Sequence, residues 1–391
     1  MDTVKGLNKM HIKTDYVVIG SGLSALGAVM KLEKEGKKFL VIGSETRVFD
    51  RYPNQQLISS MEFGGASNYW HGVIPLMENS LEFLEIFKRF YSFTPIQSDK
   101  VNLFIPRRPI SSKQFLPRDN VITQEVLRIS ESDIDEYMLE LSDGSCVVSK
   151  KVIIACGVRY SHKLLLASGL IKKGPAYIND HISGYIGNIK KEKIIELLGQ
   201  ENLVVRNSKG YIVKAILDEE NDILFTFRPA LFEMKKERNQ LRGGPIYGSK
   251  NKISIVYNLL VNFRIGRLIE AVALKYGFWP NSENYSIHFQ VPCSKVHSYV
   301  NGAWNVDSNF NELGKKVAQV AKQRGFNLSR AFEKQLFYYG NHLFNLQVDK
   351  TPSHLWNNLV IVDASNVEKI GGTHHSFRQI IYAYKNVSEV L

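Results

Sequence analysis

One glycine-rich turn constrains the fold of this chain more than any other part of its sequence. Residues 15–25 read DYVVIGSGLSA, a G-x-G-x-x-A pattern that follows a β-branched apolar run and opens a helical pattern. In such a turn Gly20 permits the tight bend, Gly22 lets the backbone approach a pyrophosphate, and Ala25 lets the helix pack on the strand. The first amides of the helix then face the phosphates. The predicted dinucleotide contacts are Gly20, Ser21, Gly22, Ser24 and Ala25.

The end of the second strand departs from the usual dinucleotide-binding pattern. An acidic residue normally ends this strand and holds the ribose hydroxyls. Here the strand Phe39–Ile42 is followed by Gly43, with Ser44 and Glu45 after it. Either Glu45 reaches back to the ribose, or Ser44 and backbone groups take the place of the acidic residue. We therefore include both Ser44 and Glu45 among the predicted cofactor contacts.

The order of the elements predicts an α/β fold with an insertion. Four short apolar runs are typical of buried parallel strands. They are Tyr16–Ile19, Phe39–Ile42, Val152–Ala155 and Leu359–Val362. Because such runs occur near both ends of the chain, we expect one doubly wound, Rossmann-like domain built from residues 1–181 and 339–391. Residues 182–338 mix strand and helix patterns without a repeat, which predicts an inserted α+β substrate domain.

Five further segments carry motifs in a fixed order along the chain. They are Gly64–Gly72, Val152–Gly169, Ile178–His181, Leu359–Ser365 and Gly371–His375. In this order they resemble the motifs of the glucose–methanol–choline (GMC) oxidoreductases and their pyranose-oxidase relatives. The resemblance implies FAD as the dinucleotide and oxidation of a hydroxyl group as the reaction. Residues from about 182 to 338 match the family poorly, so the resemblance implies no particular substrate.

The resemblance also assigns cofactor contacts beyond the first turn. These predicted contacts are Gly64, Gly65, Ser67, Asn68, Tyr69, His71, Val126, Ala155, Gly157, Asp363, Ala364, Thr373 and His375. In some relatives a histidine of the glycine-rich loop is bonded covalently to the flavin, and Tyr69 stands at the matching position here. We therefore expect non-covalent FAD, with His71 forming hydrogen bonds near the phosphates. The helix that opens after Thr373 would direct its positive end at the flavin pyrimidine and favour its reduction.

Two histidine positions are candidates for the chemistry. Oxidation of an alcohol requires a base for the hydroxyl proton and a hydride acceptor, and the pKa of histidine suits the first task. The family has one histidine upstream of the last strand and a second histidine or asparagine before the last helix. His342 matches the first position and His374 the second, with His375 as the alternative register. A structural histidine or a helix cap remains the competing interpretation. No His/Cys/Asp cluster has metal-ligand spacing, so no metal is expected.

The charge of the chain bears on its partners. The formal net charge is +12, which favours anionic partners, although the lysines are scattered along the chain. No nucleic-acid-binding motif occurs, so a nucleic-acid partner is not expected. Three cysteines without a C-x-x-C pair, and no apolar signal core, predict a cytoplasmic protein. Residues 253–278 form an amphipathic helical pattern that either packs on the protein or rests on a membrane surface.

Three functions remain open from the sequence. The first is an oxidoreductase for a small alcohol, sugar or polyol, and the basic charge suggests a phosphorylated, nucleotide-linked or lipid-linked substrate. The sequence leaves its electron acceptor open. The second is an FAD-dependent reductase or isomerase, which would not need the pair of histidines. The third is a non-catalytic protein that uses the flavin fold as a binding module.

Overall fold

The computed structural model contains two large β-sheets with helices packed on them. It describes residues 11–45, 49–51, 57–68, 72–77, 80–95, 101–108, 110–133, 135–199, 203–229, 283–306, 311–329, 332, 338–339, 343–351 and 354–391. The helices of these residues are α1 (Leu23–Lys34), α2 (Leu81–Tyr91), α3 (Val158–Ala167), α4 (Lys191–Leu198), α5 (Asn311–Gln323) and α6 (Ser376–Asn386). None of them is both long and apolar enough to cross a membrane. The amphipathic pattern at 253–278 lies outside the described residues.

The strands, numbered in chain order, divide into a seven-stranded sheet, a ten-stranded sheet and one hairpin. The first sheet contains β1 (His11–Ile19), β2 (Phe39–Ile42), β7 (Val121–Ile122), β8 (Val126–Asp133), β9 (Glu136–Leu141), β10 (Cys146–Ile154) and β19 (Leu359–Ile361). The second contains β5 (Ile74–Pro75), β6 (Asn102–Pro106), β11 (Ala176–Lys190), β12 (Val204–Asn207), β13 (Gly210–Asp218), β14 (Ile223–Pro229), β15 (Asn284–Val300), β16 (Ala303–Val306), β17 (Tyr338–Tyr339) and β18 (Phe344–Gln347). The hairpin pairs β3 (Phe49–Arg51) with β4 (Leu57–Ser60).

Four of the five parallel strands of the first sheet, β2, β1, β10 and β19, are neighbours and end at the same edge. β1 lies between β2 and β10, and β19 pairs with β10. The register aligns the last residues of these strands, Ile42, Ile19, Ile154 and Ile361. Because the chain winds from β1 to β2 on one side and later adds β10 on the other, a ligand crevice is expected outside these carboxyl ends. The doubly wound sheet expected from the sequence is thereby confirmed.

The second sheet is antiparallel and has its own apolar core. Its longest strands, β11 and β15, pair along most of their length, with Ile182 opposite Val291. Helices α4 and α5 bury Ile194 and Val317 in the same core. The sheet takes strands from both sides of residue 181, since β5 and β6 precede that position and β12–β16 follow it. The predicted domain limits, 1–181 with 339–391 and 182–338, stay a prediction.

Helices α1 and α6 approach each other closely at one glycine. A Cβ atom on Gly27 would lie 2.1 Å from the carbonyl oxygen of Ile380, so only glycine permits this contact. Around it, α1 and α6 share an apolar core that includes Leu26, Phe377 and Ile381. The helix that opens at the glycine-rich turn is therefore fixed against a helix formed by residues far later in the chain.

Helix α3 meets the second sheet through a buried histidine. The ring of His162 packs edge-on against Tyr299, with the ring centroids 4.7 Å apart, and against Trp304 at 5.2 Å. The guanidinium of Arg159 lies over the Trp304 ring. Burial, with a smaller contribution from the charge of Arg159, lowers the pKa of His162 to about 4. The imidazole is therefore neutral in the folded protein at neutral pH.

This pKa predicts a loss of stability in mild acid. As pH falls through about 6.5, an unfolded His162 takes up a proton, whereas the folded one stays neutral down to about 4. Stability is therefore lost across this window, by about 3 kcal/mol in total. We expect His162→Phe, which keeps the ring contacts, to flatten the pH dependence of the unfolding free energy between pH 6.5 and 4. Denaturant titrations at several pH values measure the unfolding free energy of both proteins. If the variant loses stability with falling pH as steeply as the wild type does, the lowered pKa of His162 is not the cause.

Candidate functional site

The glycine-rich turn is compressed between the ends of two neighbouring strands. Gly20 has φ +116°, and its amide donates to the carbonyl oxygen of Ile42 over 2.7 Å. A Cβ atom at this position would lie 2.3 Å from the carbonyl oxygen of Ala155. Both the backbone conformation and the space therefore require glycine here. The predicted contacts Gly20 and Ala155 lie together at the carboxyl edge of the parallel sheet.

Gly22 faces open space in front of helix α1. It is the residue that precedes the helix, and a Cβ atom added to it would meet nothing within 4 Å in the part of the chain that the structure describes. Ser24 and Ala25, in the first turn of α1, are buried in the protein. The free amides of the helix N-terminus thus border a space that an anionic group could enter. This arrangement fits the pyrophosphate of a dinucleotide.

A second glycine-rich segment packs directly on this turn. The amide of Gly64 donates to Ser21 Oγ over 2.9 Å, and Ser67 Oγ donates to the carbonyl oxygen of Gly64. Ser112 ties the two segments together, because its hydroxyl donates to the Ser21 carbonyl and its amide donates to Ser67 Oγ over 3.1 Å. Gly64 and Gly65 both have positive φ. The predicted contacts of this loop up to Asn68 therefore lie beside the first turn.

Sequence reasoning missed the two serines that brace this loop. Ser111 Oγ donates to Asn68 Oδ1 over 2.9 Å, and the fully buried Ser112 makes the contacts given above. Nothing in the pattern around 110–115 indicates a site, since the serines belong to no strand or repeat. Their position depends on the packing of a distant segment, which a local motif does not show.

The structure explains the glycine that ends the second strand. A Cβ atom on Gly43 would lie 2.9 Å from both Cβ and Oγ of Ser21 and 3.1 Å from the Phe63 ring. An acidic side chain would not fit there, which accounts for the departure from the usual pattern. Ser44 is half-buried and Glu45 is exposed, just past the end of β2. Their contact with a ribose stays a prediction.

Asp363 connects the ends of β10 and β19 through a buried carboxylate. Its Oδ2 accepts from the amide of Gly157 over 2.9 Å and from Ser161 Oγ. Its Oδ1 accepts from the amide of Ser365 over 2.8 Å and from the hydroxyl of the same residue. Burial raises the pKa of the Asp363 carboxyl, and these hydrogen bonds oppose the shift. The carboxylate thus holds the start of α3 to residues 364–366, which include Ala364, and its contact with a cofactor stays a prediction.

Two histidines stack where helix α6 begins. The rings of His181 and His375 lie 4.6 Å apart at an interplanar angle of 23°. His181 Nε2 is 2.7 Å from the carbonyl oxygen of Gly371, and His375 Nδ1 is 3.3 Å from that of Thr373. Because a carbonyl only accepts, Nδ1 of His375 carries the hydrogen in this contact. In a neutral His375 the basic nitrogen is then Nε2.

The second sheet holds the turn that precedes α6. Gln290 on β15 donates from Nε2 to the carbonyl oxygens of Gly372 and Thr373, over 3.3 and 3.4 Å. On β11, the carboxylate of Asp180 accepts from its neighbour's amide and lies 3.1 Å from Nε2 of His297. Gln290, Asp180 and His297 are all buried. The motif at 178–181 indicated Asp180. Gln290 and His297 gave no sequence signal, because sheet pairing alone brings Gln290 to the turn and His297 to Asp180.

Some of the remaining predicted site residues lie within the described part of the chain, and others lie outside it. Val126 is buried in the same core as Ile19 and Ile42, close to the second strand. His374 is half-buried, beside the buried His375. A cavity of about 280 Å³ at the start of α6 is lined by Thr373, Arg378 and Lys369, among others. Tyr69, His71 and His342 lie outside the described residues. Among the residues that are described, no three of the types His, Cys, Asp and Glu are grouped to hold a metal ion.

Solved structures share this architecture, although their sequences have diverged widely. No protein-family model matches the chain, and neither does any curated protein. Pyridoxine 4-oxidase from Mesorbium loti is similar with a TM-score of 0.51 and 10% identity, over 96% of this chain and 99% of its own. A formate oxidase variant from Aspergillus oryzae RIB40 gives 0.51 and 10%, over 98% and 99%. The chain therefore has the fold of the GMC oxidoreductases, as its motifs predict.

Proposed function

We propose that this protein is an FAD-dependent oxidoreductase that oxidises a hydroxyl group of a small molecule to a carbonyl. One observation carries the proposal: the parallel strands end at a common edge, where the turn at Gly20–Ala25 faces open space. At the same edge, Asp363 connects the ends of β10 and β19. The formate oxidase of similar fold contains FAD, which supports the choice of cofactor.

The described residues fit FAD from one end to the other. The turn that includes Gly22 would hold the diphosphate, with Ser44 and Glu45 nearest the adenosine ribose. The loop 64–68 would cover the diphosphate, and the start of α6 would face the flavin. Bound FAD would supply the hydride acceptor for the reaction. We propose non-covalent binding, because Tyr69 stands where some relatives carry a linking histidine.

Two histidines would handle the proton and orient the reacting oxygen. We assign the proton to His342, from its position upstream of β19. The second position was predicted as His374, with His375 as the alternative. Burial, the stack on His181 and the fixed Nδ1–H contact favour His375, because they would hold its Nε2 in one direction. His374 is half-buried and stays the alternative.

The cavity at the start of α6 supports an anionic group on the substrate. Its lining includes the guanidinium of Arg378, which donates to Thr373 Oγ1 over 3.1 Å, and the ammonium of Lys369. Asp222, which also lines the cavity, pairs with Lys369 at 3.0 Å and offsets the charge of that ammonium. Together with the net charge of +12, this lining favours a phosphorylated or otherwise anionic hydroxylated compound.

The proposal predicts a yellow protein whose colour is bleached by an alcohol. Purified protein, or apoprotein reconstituted with FAD, should carry one flavin per chain, and acid precipitation should release it into the supernatant. Under anaerobic conditions, phosphorylated and unphosphorylated sugars and polyols are added singly while flavin absorbance is followed. We expect bleaching by one class of hydroxylated compound. Yellow colour retained in the acid pellet would contradict non-covalent binding.

The same assay separates the competing functions. Flavin that is bound but bleached only by a reduced nicotinamide would identify a reductase. Bound flavin that no donor bleaches would favour an isomerase. A chain that cannot be reconstituted with FAD would favour a binding module and would overturn the proposal.

A further inference from the structure

A buried acceptor on helix α6 lacks a hydrogen-bond partner within the described part of the chain. Gln379 is 8% exposed, and its side-chain oxygen, Oε1, is fully enclosed. No donor among the described residues reaches this oxygen. Because a buried acceptor without a donor costs free energy, such groups in native proteins call for an explanation. A ligand that brings a donor is one such explanation.

The position of Gln379 on its helix points it toward the cofactor edge. Its amide donates to the carbonyl oxygen of His375, one turn before it. One turn after it on the same side, Tyr382 donates its hydroxyl to the carbonyl oxygen of Asn366 over 3.2 Å. Of the residues on this side of α6, His375 therefore belongs to the site and Tyr382 contacts the segment that follows β19. Gln379 lies between them.

We propose that Gln379 Oε1 accepts a hydrogen bond from N3–H of the flavin pyrimidine ring. The inference rests on the proposed function, since it requires FAD. Along the strand edge, the end of β2 fits adenosine and the turn after β1 fits the diphosphate, which leaves the flavin for the β10–β19 side. There the positive start of α6 suits the ring carbonyls, which only accept. N3–H is the hydrogen-bond donor of the oxidised ring system, and Gln379 supplies the acceptor for it.

The test compares two cofactors with full-length apoprotein. FAD and N3-methyl-FAD, which cannot donate at this position, are titrated by flavin fluorescence. We expect wild-type protein to bind N3-methyl-FAD about ten-fold more weakly than FAD. Gln379→Leu should bind FAD about ten-fold more weakly and should distinguish the two cofactors by less than about two-fold. Gln379→Glu, which keeps an acceptor oxygen, should retain the preference for FAD.

A matched control uses the neighbouring turn of the same helix. Tyr382→Phe removes the hydroxyl that donates to Asn366 but leaves Gln379 in place, so it should keep the ten-fold preference of the wild type. A second readout is the pKa of N3–H in the bound flavin, followed by absorbance. Gln379→Leu should lower this pKa relative to wild type, because the acceptor stabilises the protonated ring.

The outcomes separate this inference from the proposed function. If the wild type binds FAD but shows no preference over N3-methyl-FAD, the assignment of Gln379 to N3–H is wrong while the flavoprotein stands. The same holds if Gln379→Leu weakens both cofactors equally, which would point to a ribityl hydroxyl as the donor. If no FAD binds at all, the proposed function fails as well. The wild-type comparison requires no variant, so it remains decisive even if Gln379→Leu misfolds.

Discussion

Gly22→Val is expected to abolish FAD binding while the protein remains folded. A side chain at this position would occupy the space in front of α1, where the diphosphate must approach the backbone. Gly22 has φ −81°, which valine adopts freely, and its Cβ would meet no atom of the described residues within 4 Å. The cost to stability should therefore be about 1 kcal/mol or less. Flavin absorbance per chain and the unfolding midpoint measure the two effects.

Gly174→Val is the matched control for this substitution. A Cβ atom at Gly174 also meets none of the described atoms within 4 Å, but the residue lies in a loop before β11 and not in the turn. That variant should keep its full flavin content. Gly20→Ala is unsuitable as a test, because its Cβ would clash with Ala155 and the variant would unfold for a reason unrelated to the cofactor. Full flavin content in Gly22→Val would refute the assignment of the turn.

His342→Ala should bind FAD normally and reduce it about 10²–10⁴-fold more slowly with the alcohol substrate. The variant lacks the base that takes the hydroxyl proton, and nothing else in the proposal assigns His342 to the cofactor. The loss should shrink as pH rises, since hydroxide or the ionised alcohol can replace the base. Stopped-flow measurement of anaerobic flavin reduction across a pH series measures the effect. Wild-type reduction rates in His342→Ala would eliminate it as the base.

The same assay decides between the two adjacent histidines. His375→Asn should be milder than His342→Ala, because an amide still donates a hydrogen bond to the reacting oxygen. His374→Asn serves as its neighbour control and should reduce flavin at nearly the wild-type rate. If His374→Asn is the slower variant, the register predicted first from the sequence is the correct one.

The parts of the fold that local sequence encodes were predictable. The turn at Gly20–Ala25 lies between a strand and a helix that are adjacent in the sequence. The apolar periodicity of these two elements and the spacing of the glycines therefore suffice to predict the turn. The parallel strands β2, β10 and β19 could also be predicted from the sequence, since buried parallel strands are continuous apolar runs. The segment 121–129, in contrast, is divided between two strands, and its local sequence does not show the division. β7 pairs parallel with β2, and β8 pairs antiparallel with β9.

The groups that complete the site could not be predicted in the same way. Ser112, Gln290 and His297 carry no local pattern and reach the site only through packing across distant segments. The sequence showed that Gly43 departs from the usual acidic residue. It did not show that Ser21 and Phe63 fill the space of a side chain there. The reason lies in the short distances between residues that are far apart in the sequence, and the spacing of a motif does not reveal those distances.

The late position of β19 and α6 in the chain governs when the cofactor can be loaded. β19 pairs with β10, and α6 packs on α1 through Gly27, yet both are synthesised after the entire second sheet. During synthesis the βαβ unit leaves the ribosome first. Until residues 359–386 follow, the face of α1 that packs on α6 and the edge of β10 that pairs with β19 stay uncovered. The proposed FAD site is therefore incomplete until residues 359–386 have been synthesised. Loading of the proposed cofactor would then follow translation, and the nascent chain would expose the apolar faces of α1 and β10 until that point.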